Sequence, residues 1–148
     1  QALQLFRAVG DRLGEANTLQ AIGDVQQFRK ELDPALQSYQ QALQLFRAVG
    51  SRLGEANTHK SLARLELANG NNATALTHFN TAQQLYETIQ DLYSQAVNRC
   101  YRSDALAAIG EKNKAREDLL FALRVFTTLE LPYVTWVQAH LDALDKDA

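Results

Sequence analysis

Cysteine, methionine, tryptophan and proline are scarce in this chain of 148 residues, at one, none, one and two copies. The lone Cys100 has no intrachain partner for a disulfide, which fits a reducing compartment, so the cytoplasm is the expected location. Long apolar runs are also missing. No stretch approaches the roughly 20 residues of a spanning helix, and the start lacks the basic and then apolar pattern of a secretory leader, so no membrane association is expected. Charge is nearly balanced, with 15 Lys plus Arg against 17 Asp plus Glu. Without a block of one sign there is no phosphate-binding footprint, and nucleic acid is not an expected partner. His59, His78 and His140 fall in separate segments, and neither metal-type Cys/His spacing nor a glycine-rich phosphate loop occurs. No catalytic residue, metal or cofactor is therefore expected, and the chain is read as a non-enzyme.

What the sequence does have is repetition. Residues 1–18 return as 41–58 with one change, Asp11 to Ser51, and the same apolar spacing continues at 81–98 and 121–138. The period is 40 residues. Residues 19–40 match 59–80 only at Ala35/Ala75 and Leu36/Leu76, so the near-identical block reads as a duplication rather than a packing requirement. Within each period the apolar positions fall at i, i+3, i+4 and i+7, as in Ala2, Leu5, Phe6 and Val9, which is helical spacing. Asp11, Ser51 and Asp91 stand as N-caps of first helices, and Asp33-Pro34 reads as a cap with an N1 proline at a second helix. Gly10, Gly50, Gly70 and Gly110 stand at helix ends, where a left-handed residue is needed. Lys30 takes the column of Gly70 and Gly110, so that turn is either strained or built differently. The pattern predicts helices over 12–29, 34–48, 52–69, 73–88, 92–109, 113–128 and 132–146, a stub over 2–8, and no strand.

This spacing resembles the tetratricopeptide repeat, in which a large residue and Leu-Gly on the first helix meet Ala, an aromatic and Ala on the second. Leu19, Ile22, Gly23, Ala35, Tyr39 and Ala42 carry the resemblance in one copy, and Leu62, Ala63, Ala75, Phe79 and Ala82 in the next. A third copy keeps Ala115, Leu119 and Ala122 but has Arg102 and Ser103 where Leu-Gly would stand. The longer period is similar to that of kinesin light chains and of large bacterial signalling proteins, where such arrays act as sensing or scaffolding arms. The resemblance implies an all-α, right-handed α-solenoid of antiparallel helix hairpins. One array is expected over 1–148: a partial repeat at 1–10, repeats at 11–50, 51–90 and 91–130, and a partial repeat or capping helix at 131–148.

It also implies a concave face lined by the first helices, where a peptide or protein segment would bind. The columns pointing there hold Asn17, Gln20, Asp24 and Gln27; then Asn57, Lys60 and Arg64; then Cys100 and Asp104; and finally His140. The asparagines offer an amide donor and acceptor to an extended backbone. Lys60 and Arg64, at i and i+4, project two cations toward one spot, where they would hold an anionic group or form an exposed ion pair with Asp24. Cys100 is either a plain groove-lining side chain or a thiol activated by Arg99 and Arg102. Tyr133 and Trp136 read as an aromatic peptide platform or as the cap of a core. The alternative function is a spacer or self-association arm, linking copies head to tail through Leu5, Phe6 and Val9 at one end and Trp136 and Val137 at the other.

Overall fold

A computed structural model describes residues 1–146. Eight helices run in sequence through it: α1 (Ala2–Val9), α2 (Arg12–Phe28), α3 (Leu32–Ala48), α4 (Arg52–Ala68), α5 (Asn72–Thr88), α6 (Leu92–Ala108), α7 (Lys112–Thr128) and α8 (Val134–Lys146). No strand occurs among the described residues. Each helix packs on the next, giving an α-solenoid of helical hairpins. The first helices α2, α4 and α6 also touch one another in turn, whereas no comparable contact joins α3 to α5 or α5 to α7. That asymmetry puts α2, α4 and α6 on the inner side of the curve.

The helix boundaries follow from local chemistry. Asp11, Ser51 and Asp91 accept hydrogen bonds from the backbone N–H groups of Gly14, Gly54 and Ser94 at 2.8, 3.2 and 3.0 Å, satisfying donors that a helix start leaves open. The second helices start differently. Helix α3 begins at Leu32 behind Glu31, which makes no side-chain cap, so Asp33 is not the N-cap and Pro34 is not at N1. The proline costs no bond there, because the first helical N–H to find a carbonyl is that of Ala35, on Glu31. Helix α8 likewise begins at Val134 and not at 132, with Pro132 and Tyr133 in the preceding turn.

Every turn is closed alike. Lys30 adopts φ 61°, the left-handed conformation of Gly70 and Gly110 in its column, and the N–H of Glu31 bonds the Gln26 carbonyl at 2.9 Å. The first hairpin turn is thus strained rather than differently built, and Gln90 and Glu130 share its positive φ.

The core is a string of small clusters in place of one large one. Ala16, Leu19, Ala42 and Phe46 form one; Ala35, Tyr39, Leu43, Leu62 and Leu65 the next; Ala63, Ala75, Phe79 and Ala105 another. Gly23 permits the close approach of α2 and α3, since a Cβ there would lie 2.6 Å from the Tyr39 ring. The third hairpin replaces Leu-Gly with polar groups that are fully engaged. Arg102 forms a fork on Asp118 at 2.7 Å for both bonds, and the Ser103 hydroxyl donates to the Cys100 carbonyl at 2.6 Å. Asp118 is only 3% exposed and Arg102 is partly exposed, so the ion pair across the α6–α7 seam has one buried and one half-buried partner.

Candidate groove on the inner face

Side chains from α2 and α4 converge on a hollow of about 570 Å³. Gln20, Asp24 and Gln27 line one wall, and Asn57, Lys60 and Arg64 the other, joined by Phe28 and Ser61. Asn17 lines an adjoining hollow of about 330 Å³ that shares Gln20, Asp24 and Asn57. Phe28 was not legible as a groove residue, although an aromatic at the last position of a first helix is the signal that marks it. Phe28 is 89% exposed.

The polar atoms of this groove are partly committed. The Tyr39 hydroxyl donates to Asp24 Oδ1 at 2.7 Å and lies 2.8 Å from the Gln27 carboxamide oxygen, while Ser61 Oγ is 3.4 Å from the same Asp24 oxygen. Burial first, and then the Asp24 carboxylate, push the Tyr39 phenol well above its ordinary pKa, so it stays a donor. The Tyr86 hydroxyl donates to Asn57 Oδ1 at 2.6 Å, so the Asn57 amide oxygen is engaged and its N–H groups remain as donors.

The two cations do not pair with Asp24. Arg64 stacks over the Tyr101 ring with its guanidinium carbon 4.5 Å from the centroid, and the Lys60 ammonium stands 5.8 Å from the Tyr86 centroid. Neither has a carboxylate within ion-pair distance among the described residues. Burial, and next the charge of Arg64, lower the Lys60 pKa, and Asp91 and Asp24 oppose that shift from beyond ion-pair distance.

Farther along, the expected lining changes. Cys100 does not line the groove, because it is 1% exposed and packs with Ala96, Leu119 and Val137. It shares a column with Gln20 and Lys60, whose long stems carry their polar ends out of the packing, and a thiol is too short to follow. Burial pushes its pKa up to about 12, helped by Asp104 and Asp118, so Arg99 and Arg102 do not activate it. Asp104 lies 3.7 Å from His140 across α6 and α8. Burial raises the Asp104 pKa and His140 opposes that shift. In place of Cys100, the inner face here presents Tyr93, Val97 and Tyr101 from α6, spaced four residues apart, with Tyr133 and Trp136 opposite. That i, i+4, i+8 run was the overlooked signal.

The residues expected at the ends divide. Leu5 and Val9 are 63% and 67% exposed, whereas Phe6 is half-buried against α2. Val137 is no end-face residue: it is wholly buried with Leu119, Val125 and Leu141, and Trp136 packs edge-on against Tyr101 with centroids 5.5 Å apart.

Two histidines that lie far apart in sequence meet inside the fold. His59 Nε2 is 3.2 Å from Arg47 Nη2, and His59 Nδ1 is 3.0 Å from His78 Nδ1. A guanidinium only donates, so the hydrogen-bond pattern puts the His59 proton on Nδ1, where it donates to His78. Burial, then His78 and Arg47, hold the His59 pKa down to about 4.

The family model described as Tetratricopeptide repeat matches residues 1–48, the segment spanning α1, α2 and α3. No curated protein matches the chain.

Proposed function

We propose that the inner face binds an extended peptide or protein segment bearing an acidic group, a reading supported by the match of residues 1–48 to the tetratricopeptide repeat, since such repeats generally mediate protein–protein interaction. One observation carries this reading: Lys60 and Arg64 share a groove wall, are held over tyrosine rings, and have no carboxylate partner among the described residues. Two adjacent cations without an ion-pair partner repel each other, and a ligand carboxylate or phosphate relieves this through charge-assisted hydrogen bonds. The Asn57 amide donors and the Asn17 and Gln20 side chains supply neutral contacts for a ligand backbone. Nothing in the groove arrangement calls for a chemical step, so the role is capture and presentation, with one array as the recognition unit.

Selection from a random peptide library tests the reading. Peptides retained by the wild-type chain are expected to be enriched in Asp and Glu, and a Lys60→Ala/Arg64→Ala chain of matched helicity is expected to lose that enrichment. Acid-independent retention, or the same peptides on both chains, contradicts it.

A further inference from the structure

The inner face carries a third hollow that the acidic-segment reading leaves unused. Tyr93, Val97 and Tyr101 of α6 face Tyr133 and Trp136 across about 340 Å³. Tyr93 and Tyr133 are 43% and 38% exposed, and their ring centroids are 6.2 Å apart. Phe126, fully buried, supports Tyr133 from beneath at 5.3 Å. Trp136 meets Tyr101 edge-on at 5.5 Å and His140 edge-on at 5.1 Å. These rings are therefore braced by one another in place before any ligand arrives, and a braced aromatic cleft loses little side-chain entropy on binding.

The polar character of the cleft narrows its occupant. The Trp136 indole N–H and the Tyr101 hydroxyl have no hydrogen-bond partner among the described residues, and no carboxylate lines the cleft. An indole only donates, and phenols donate readily, so the rim asks for acceptors. A cationic ligand side chain is disfavoured, because the Arg64 guanidinium already stands 4.5 Å from the centroid of Tyr101, one of the walls. A segment rich in proline answers both demands. Its rings lie flat on aromatic faces, its carbonyls are free to accept, it has no N–H at each proline, and its extended conformation is preformed.

We propose that this cleft is a proline subsite: it seats a polyproline-II turn of a partner segment whose acidic residue reaches Lys60 and Arg64. The proposal rests on the acidic-segment reading for the anionic contact and on the cleft alone for the proline contact. Because Arg64 and the cleft share the Tyr101 ring, the acidic residue falls close to the prolines. The separation is about two residues of a helix that rises roughly 3.1 Å per residue.

Trp136 is the only tryptophan in the chain, so its emission reports on this cleft directly. The test titrates the whole chain with three synthetic peptides: one with a run of four prolines and a glutamate two residues away, one with the prolines replaced by alanine, and one with the glutamate replaced by glutamine. The first is expected to give a saturable change in Trp136 emission. Alanine in place of proline is expected to weaken binding by about tenfold or more, and so is Tyr133→Ala or Tyr93→Ala in a chain of unchanged helicity. Replacing glutamate by glutamine is expected to weaken wild-type binding but to leave the Lys60→Ala/Arg64→Ala chain indifferent. Equal affinity for the proline and alanine peptides overturns the proline subsite, and leaves the acidic-segment reading standing if both need the glutamate. Proline-dependent binding that ignores the glutamate overturns the link to Lys60 and Arg64. No saturable change with any peptide up to millimolar concentration overturns the cleft as a peptide site, while the library selection judges the groove on its own.

Discussion

Lys30 illustrates how a single side chain can sit against its own backbone preference. A lysine at φ 61° meets a steric penalty that glycine avoids, and its ammonium makes no ion pair among the described residues. Lys30→Gly is expected to stabilise the chain by about 1 kcal/mol, read as a rise of a few degrees in the thermal midpoint. A fall would mean that the glycine's added freedom in the unfolded chain outweighs the strain relieved. His59 is a second such case, with the pH as the lever. Its pKa in the folded chain, about 4, lies below the ordinary 6.5, so the unfolded chain binds more protons between these values. Stability is therefore fully present above pH 6.5 and is lost as pH falls toward 4. A shift of this size corresponds to about 2 kcal/mol lost by pH 5. Urea unfolding at pH 7 and pH 5 checks this, and His59→Leu is expected to flatten most of the difference. The histidine contact was illegible in sequence because 19 residues separate the pair. Only the turn-back from α4 to α5 brings positions so spaced face to face.

At the scale of the helix and the hairpin, the apolar spacing was enough to place all eight helices, because each buries one stripe. The ends were less legible. Asp33-Pro34 carries a strong start signal, yet α3 begins before it, since a helix whose first N–H groups are unpaired anyway tolerates proline one turn in. The missing Leu-Gly at Arg102-Ser103 could have broken the α6–α7 seam. It does not, because Asp118, on the facing helix, accepts the guanidinium in a two-bond fork. Sequence alone does not reveal that pairing, as the partners lie 16 residues apart. Asp118→Ala leaves the partly exposed Arg102 guanidinium without its counter-charge and is expected to cost about 1.5 to 3 kcal/mol, measured by chemical denaturation. A loss under 1 kcal/mol would show that Arg102 escapes to water. Gly23→Val tests the tighter hairpin, where added carbons meet the fully buried Tyr39 ring. A loss of about 1 to 3 kcal/mol is expected from overpacking.

For the molecule as a whole, the separate clusters mean that each hairpin is stabilised mainly by its neighbours, so damage at one seam stays largely local. The curve that results gathers α2, α4 and α6 on one side and creates the groove from columns already visible in the repeat. Gln20, Asp24, Gln27, Asn57, Lys60 and Arg64 were therefore legible as neighbours, because helical periodicity fixes direction. Cys100 and Val137 were not, because the same columns change from groove to core once α8 closes over α6 and the side chain becomes short or branched. The groove also differs along its length, being amide-rich and charged between α2 and α4 and aromatic between α6 and α8.

On the proposed function, Lys60 and Arg64 serve a ligand rather than the fold. The most direct measurement pairs peptide affinity with thermal stability for wild type and Lys60→Ala/Arg64→Ala, using the peptide most strongly retained in the library selection. Loss of affinity by about tenfold or more, with a midpoint moved by no more than a few degrees, is the expected result. Unchanged affinity in the double variant contradicts the account, and so does a collapse in stability, which would make Lys60 and Arg64 supports for the tyrosines beneath them.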